Sequence, residues 1–250
     1  MAKSSRTTRT ERQQLVEQMR AEQRRAERRR GMVIVMVCSL VAVLIVGLAA
    51  YRPVKDWWDT RSYRAKSLAE IGSPASVCQP VTTKPADGNQ QHIPDGSPVT
   101  YPDAPPAFGK HYIDPDPMSR KFYTAADRPM LGTLVHNLEH GYTILWYDPS
   151  AAKNSSEMDQ IRAIASKMAG TTDLRKKFKA VPWTTDDGQP FPSGQHVALT
   201  HWSVGGAQAA SAGTGKQVGV WQYCSSVSGS ALNTFMLDYP FSDSPEPGAM

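Results

Sequence analysis

Two histidines and a glutamate fall within five residues, at His136-Asn137-Leu138-Glu139-His140. On a helix, residues four apart lie one turn apart on one face, so His136 and His140 can present two imidazoles to one ion, with Glu139 beside them. Imidazole and carboxylate donors suit zinc or copper. The order His-x-x-Glu-His also matches an inverted zinc-protease pattern, in which the glutamate acts on zinc-bound water. That chemistry wants a further carboxylate ligand from a second helix downstream, and the sequence offers no convincing one, so the reading leans away from an enzyme. A metal site without catalysis accounts for the three residues. So does a hydrogen-bonded corner in which Glu139 fixes the imidazole tautomers of a structural or accessory protein.

The six histidines (His92, His111, His136, His140, His196 and His201) all lie beyond residue 90. His111, in Pro105-Pro106-Ala107-Phe108-Gly109-Lys110-His111-Tyr112, is the best addition, so the expected metal ligands are His136, His140, Glu139 and His111. His201 is a second candidate, but beside Val197 and Leu199 it reads first as a core histidine with its hydrogen bonds satisfied. Met118 or Met130 nearby would favour copper. Gly-rich phosphate loops, Gly-x-Ser-x-Gly elbows and Cys-x-x-Cys pairs are absent from the sequence.

The elements that must position this cluster follow from punctuation and period. Pro129 near a first turn and Gly141 as a stop predict a short helix over 130–140, and the apolar run 142–147 predicts a strand closed by an Asp148-Pro149 turn. Ser155 and Ser156 open an amphipathic helix carrying Ile161, Ile164, Ala165 and Met168 and ending at Gly170. Alternation predicts strands over 195–203 and 217–223, joined by a loop of small residues over 205–215, before a last helix over 230–239. The fold class expected is α+β: a small, mainly antiparallel sheet with flanking helices, preceded by one transmembrane helix.

Charge divides the chain. Residues 1–30 hold ten Lys and Arg against four Glu, whereas the remainder holds 18 basic and 19 acidic residues, so the basic balance belongs to a tail. From Met32 to Ala50 no residue is charged, which is the length of a bilayer-crossing helix. A cleaved signal peptide is the competing reading, but the basic leader and the apolar run are both long for one. The arginines at 24–30 place the amino terminus in the cytoplasm by the positive-inside rule, with Tyr51, Trp57 and Trp58 as outer interfacial anchors. Cys78 and Cys224 then lie on the exported side, where disulfides persist, and are expected to pair, whereas Cys38 lies in the span. The tail favours an anionic inner leaflet; with no recognition fold beside it, nucleic acid is not expected.

The divisions expected are a basic tail over 1–31, the span over 32–51, a helical stalk over 52–72, a proline-rich arm over 73–117, the exported domain over 118–240 and a terminal tail over 241–250. Ten prolines between Pro74 and Pro117 make the arm extended and looping, while Cys78, Tyr101, Phe108, His111 and Tyr112 suggest that parts of it dock on the core.

The segment Leu134-Val135-His136-Asn137-Leu138-Glu139-His140-Gly141-Tyr142, with Trp146-Tyr147, Pro105-Pro106, Gly109, His111-Tyr112 and Pro182-Trp183, resembles the bacterial family known as domain of unknown function 3105. The resemblance covers about residues 70–245. It implies a single-span protein of the cell membrane with an exported domain, and it implies no particular activity; an envelope partner is expected only in the structural or accessory reading.

Overall fold

The computed structural model describes residues 3–86, 90–206 and 216–249. It divides into two compact units, Met1–Trp57 and Trp58–Met250. The first unit belongs to helix α1 (Lys3–Thr60). Its apolar stretch reaches a mean hydropathy of 3.0, long and apolar enough to cross a membrane. Side chains from Met32 to Leu48 lie exposed around the helix, an arrangement that water does not favour and a bilayer does.

In place of one helical stalk running to residue 72, α1 ends at Thr60 and two 3₁₀ turns follow, Arg61–Tyr63 and Leu68–Glu70. The second is fixed by a capping box in which the Glu70 carboxylate accepts from the Ser67 backbone N–H at 2.7 Å. Just beyond it, Ile71 is fully buried in the core of the second unit.

That unit is built on a five-stranded sheet in the order β1 (Thr82–Pro85), β7 (Val218–Cys224), β6 (Val197–Ser203), β4 (Thr143–Tyr147), β5 (Phe178–Pro182). Only β4 and β5 run parallel; the other neighbours are antiparallel. The expected mainly antiparallel α+β sheet with flanking helices is what the chain forms. β4 is buried along its whole length because it is sandwiched between two cores. Leu145 and Tyr147 face one with Ile161, Ile164, Leu199, Leu232 and Phe235; Ile144 and Trp146 face the other with Leu134, Val135, Leu138, Ala198 and Trp202. Helices α4 (Ser155–Lys167) and α5 (Gly229–Asp238) supply the first core, and α2 (Leu131–Glu139) the second.

Several expectations change in detail. Asp148-Pro149 is not a plain turn: the Asp148 carboxylate accepts from the backbone N–H groups of Ser150 and Ala151 and caps a short helix, α3 (Pro149–Lys153). The small-residue connection after β6 joins antiparallel partners, as a hairpin loop should; residues 207–215 of it lie outside the described residues. The proline-rich arm does more than loop. It gives edge strand β1 to the sheet and a two-residue parallel pair, β2 (His92–Ile93) with β3 (His111–Tyr112). Cys78 and Cys224 form the expected disulfide, tying the arm to β7. The bond spans 146 residues, and closing a loop of that length restricts the unfolded chain by about 5 kcal/mol in the entropic account.

Candidate metal centre

Helix α2 and the β2–β3 pair meet over the second core. In the pairing His92 lies opposite His111, so the arm brings two imidazoles side by side. α2 brings His136 and Glu139, and the three imidazole rings form a triangle with centroid separations of 4.6, 4.9 and 4.9 Å. One donor atom from each of His92, His111, His136 and Glu139 lies within 4.8 Å of all the others. An ion bonded at about 2.0–2.1 Å in tetrahedral geometry holds its donors about 3.3 Å apart, so small rotations of these side chains close the set.

α2 approaches this closely because Gly132 has no side chain. A Cβ there would stand 2.8 Å from the Tyr112 ring. Glycine inside a helix costs roughly 1 kcal/mol against alanine, and here the close approach offsets it, because the Tyr112 carbonyl accepts a 2.6 Å hydrogen bond from His136 Nδ1. Gly132→Ala is therefore expected to keep the fold while pushing α2 off Tyr112 and breaking the His136 hydrogen bond. A circular-dichroism melt, read beside the nitrogen resonances of the His136 ring, checks it.

Hydrogen-bond accounting assigns the tautomers. A carbonyl only accepts, so His136 Nδ1 carries a proton towards Tyr112, and His111 Nδ1 carries one towards the Gly109 carbonyl at 2.8 Å. In the neutral rings both Nε2 atoms are then bare lone pairs, that of His111 facing Glu139 at 2.9 Å and that of His136 facing His140 Nε2 at 2.9 Å. Nδ1–H to a backbone carbonyl is the usual support behind a metal-bound histidine.

The carboxylate completes the argument. Glu139 is wholly buried; its Oε1 accepts from Gln90 Nε2 at 2.7 Å, whereas Oε2 accepts no hydrogen bond from the described residues. Oε2 lies 2.9 Å from His111 Nε2 and 3.8 Å from His92 Nε2. His111 Nε2 is also buried without a hydrogen-bond partner, so the two atoms are close but not aligned for N–H···O. Buried polar atoms left this way cost roughly 1–3 kcal/mol each, and a cation shared between them removes that cost.

Electrostatics favour the binding forms. The His136 pKa is lowered: burial is the largest cause, opposed by the Tyr112 hydrogen bond and assisted by the neighbouring His111 and His92. That of His140 is pushed down to about 4 by burial, with His136 and Lys177 adding to it. For Glu139, burial acts upwards but is outweighed by the contacts with His111 and Gln90 and by the fields of His111 and His92, so its pKa is lowered. Neutral imidazoles and an ionised carboxylate are the states a metal requires.

Of the four residues singled out from the sequence, His111, His136 and Glu139 meet in this cage. His140, at the C-cap of α2, stands to one side: its Nε2 lies 2.9 Å from His136 Nε2 and 3.6 Å from a Glu246 carboxylate oxygen. Glu139, His140 and Glu246 form a second group of donors within 4.8 Å. His92 and Glu246 were not expected. A two-residue strand among prolines carries no period, and Glu246 lies in a segment that reads as a tail. His201 is apart from the cluster, a core histidine buried between the carbonyls of Tyr142 and Asp243 at 3.1 and 2.7 Å. His196 instead contacts Asp148 at 2.9 Å.

Fold and cluster together define an α+β domain with an imidazole–carboxylate cage at the junction of a helix and a proline-rich arm. The family model described as "Protein of unknown function (DUF3105)" matches residues 92–250, and the chain belongs to that family. No curated protein and no solved structure matches the chain.

Proposed function

We propose that this chain is a membrane-anchored protein whose second unit, on the extracytoplasmic side, binds a transition metal through His92, His111, His136 and Glu139. The observation that carries the reading is the pair of buried atoms His111 Nε2 and Glu139 Oε2, 2.9 Å apart without an aligned hydrogen bond, with two more imidazoles beside them. Three nitrogens and one oxygen, with no thiolate, suit Zn²⁺ or Cu²⁺. His92 is 42% exposed, which leaves the ion a route from solvent. The helix apolar enough to span a bilayer, the arginines before it and the Cys78–Cys224 bridge support the exported placement.

The rival is a hydrogen-bonded scaffold, which the His136–His140 contact favours because one Nε2–H can donate to the other Nε2. It accounts less well for the cage. A protonated His111 would aim its N–H at Glu139 Oε2, and the ring is not so aligned. Metal analysis of the full chain purified in detergent without chelators separates the two. The metal reading expects at least one zinc or copper ion per chain, lost in the His111→Ala, His136→Ala double variant. Wild-type protein that neither retains nor takes up either ion would leave the scaffold.

A further inference from the structure

Glu139 belongs to two donor groups at once, and the second is as deliberately built as the first. The geometry points to a two-ion centre: a divalent cation held by His140, Glu246 and Glu139, next to the ion in the His92–His111–His136 cage, with the Glu139 carboxylate shared between them. This rests on the metal reading proposed above and extends it to a second ion.

The case begins with His140. Its Nε2 is 2.9 Å from His136 Nε2, whose lone pair an ion in the cage would engage, since His136 Nδ1 already carries the proton facing Tyr112. With that lone pair taken, an N–H on His140 Nε2 has no acceptor within hydrogen-bond range, because the nearest Glu246 oxygen is 3.6 Å away. A bare Nε2 binding a cation removes that conflict and leaves the ring proton on Nδ1, a buried atom with no hydrogen-bond partner among the described residues. Glu139, fully buried and within 4.8 Å of both sets of donors, supplies the negative charge that a cation beside His140 and Glu246 would share.

Glu246 is brought there by a strap. The Asp243 side chain is fully buried and accepts from Ser203 Oγ at 2.6 Å and from the N–H groups of Val204 and Gly206 at 3.0 Å. Three residues on, the Glu246 N–H donates to the Glu139 carbonyl at 3.0 Å. Beyond it, the buried Lys177 ammonium donates to the His140 carbonyl at 2.7 Å and to those of Pro247 and Ala249 at 3.0 and 2.6 Å, joining the helix end to the strap. The Glu246 side chain is about half exposed, so the position opens to solvent.

The donors set the order of filling. The cage offers three imidazoles and one carboxylate; the second position offers one imidazole, one carboxylate and a share of Glu139. It binds more weakly and fills second, with ions separated by about 3.5–4 Å as in other carboxylate-bridged pairs.

The test uses the full chain in detergent micelles. Zinc titration of the wild type should reach two ions per chain, with the second weaker. Glu246→Gln, at an exposed position, should melt like the wild type, keep the first ion and weaken the second at least about tenfold. Copper(II) at two equivalents should give the half-field paramagnetic resonance signal of a coupled pair in the wild type and not in Glu246→Gln. Saturation at one zinc overturns this inference and leaves the single-ion reading standing. Two ions bound equally by Glu246→Gln, or two copper ions without coupling, overturn it as well. No bound ion at all removes the metal reading itself.

Discussion

Zinc at a thousandfold excess over its dissociation constant is expected to stabilise the wild-type chain by about 4 kcal/mol, because an ion that binds only the folded state adds its binding free energy to stability. For a folded unit of this size that raises the melting midpoint by roughly 10 °C, and a chelator should reverse it. The cage joins segments far apart in sequence: His92 and His111 from the arm, His136 and Glu139 from α2. An ion there acts as a crosslink between them. In the His111→Ala, His136→Ala variant most of that zinc-dependent rise should be lost. Calorimetry of the full chain in detergent, with zinc, with chelator and with the variant, checks this. A zinc-dependent shift that survives undiminished in the variant would assign the binding elsewhere.

The second large effect falls on Gly141. It ends α2 with φ +87°, and an added Cβ would meet the Phe241 carbonyl oxygen at 2.2 Å and Ser244 Oγ at 2.8 Å. Both obstacles belong to the C-terminal strap, and one is backbone, so a rotamer change does not relieve the clash. Gly141→Ala is expected to destabilise the folded unit by about 3 kcal/mol, from the left-handed backbone and the displaced strap together. The melting midpoint should fall by roughly 10 °C. Because the strap carries Glu246, zinc binding should weaken too, read by competition against a zinc indicator. A variant that melts like the wild type would show that the strap does not press on the helix end as described.

The helix-to-strand corner was legible because its signals are local. Pro129 and Gly141 bracket α2, and the run from Thr143 to Tyr147 reads as a strand buried on both faces, which it is. β5 was not legible. Lys177 and Lys179 interrupt its apolar pattern and Pro182 ends it, yet both lysines are buried, their ammonium groups donating to backbone carbonyls and, for Lys179, to the Asp116 carboxylate. Those partners come from the arm and the C-terminal strap, so only the tertiary structure reveals why the charges are tolerated.

The site shows the same division. Three of its residues were readable, His136 and Glu139 by helical spacing and His111 by its position beside an aromatic in the arm. His92 becomes a neighbour only through parallel pairing with His111, a contact that no spacing within the arm encodes. One-turn spacing brings His136 and His140 side by side, their Nε2 atoms 2.9 Å apart, while His140, as the C-cap of α2, also groups with Glu139 and Glu246.

X-ray absorption at the zinc edge, on the full chain loaded with one equivalent, tests the central claim most directly. The account predicts nitrogen and oxygen donors at about 2.0–2.1 Å, with outer-shell scattering from three imidazoles that falls by one ring in His92→Ala. A spectrum without imidazole scattering, or one identical in wild type and His92→Ala, would contradict it.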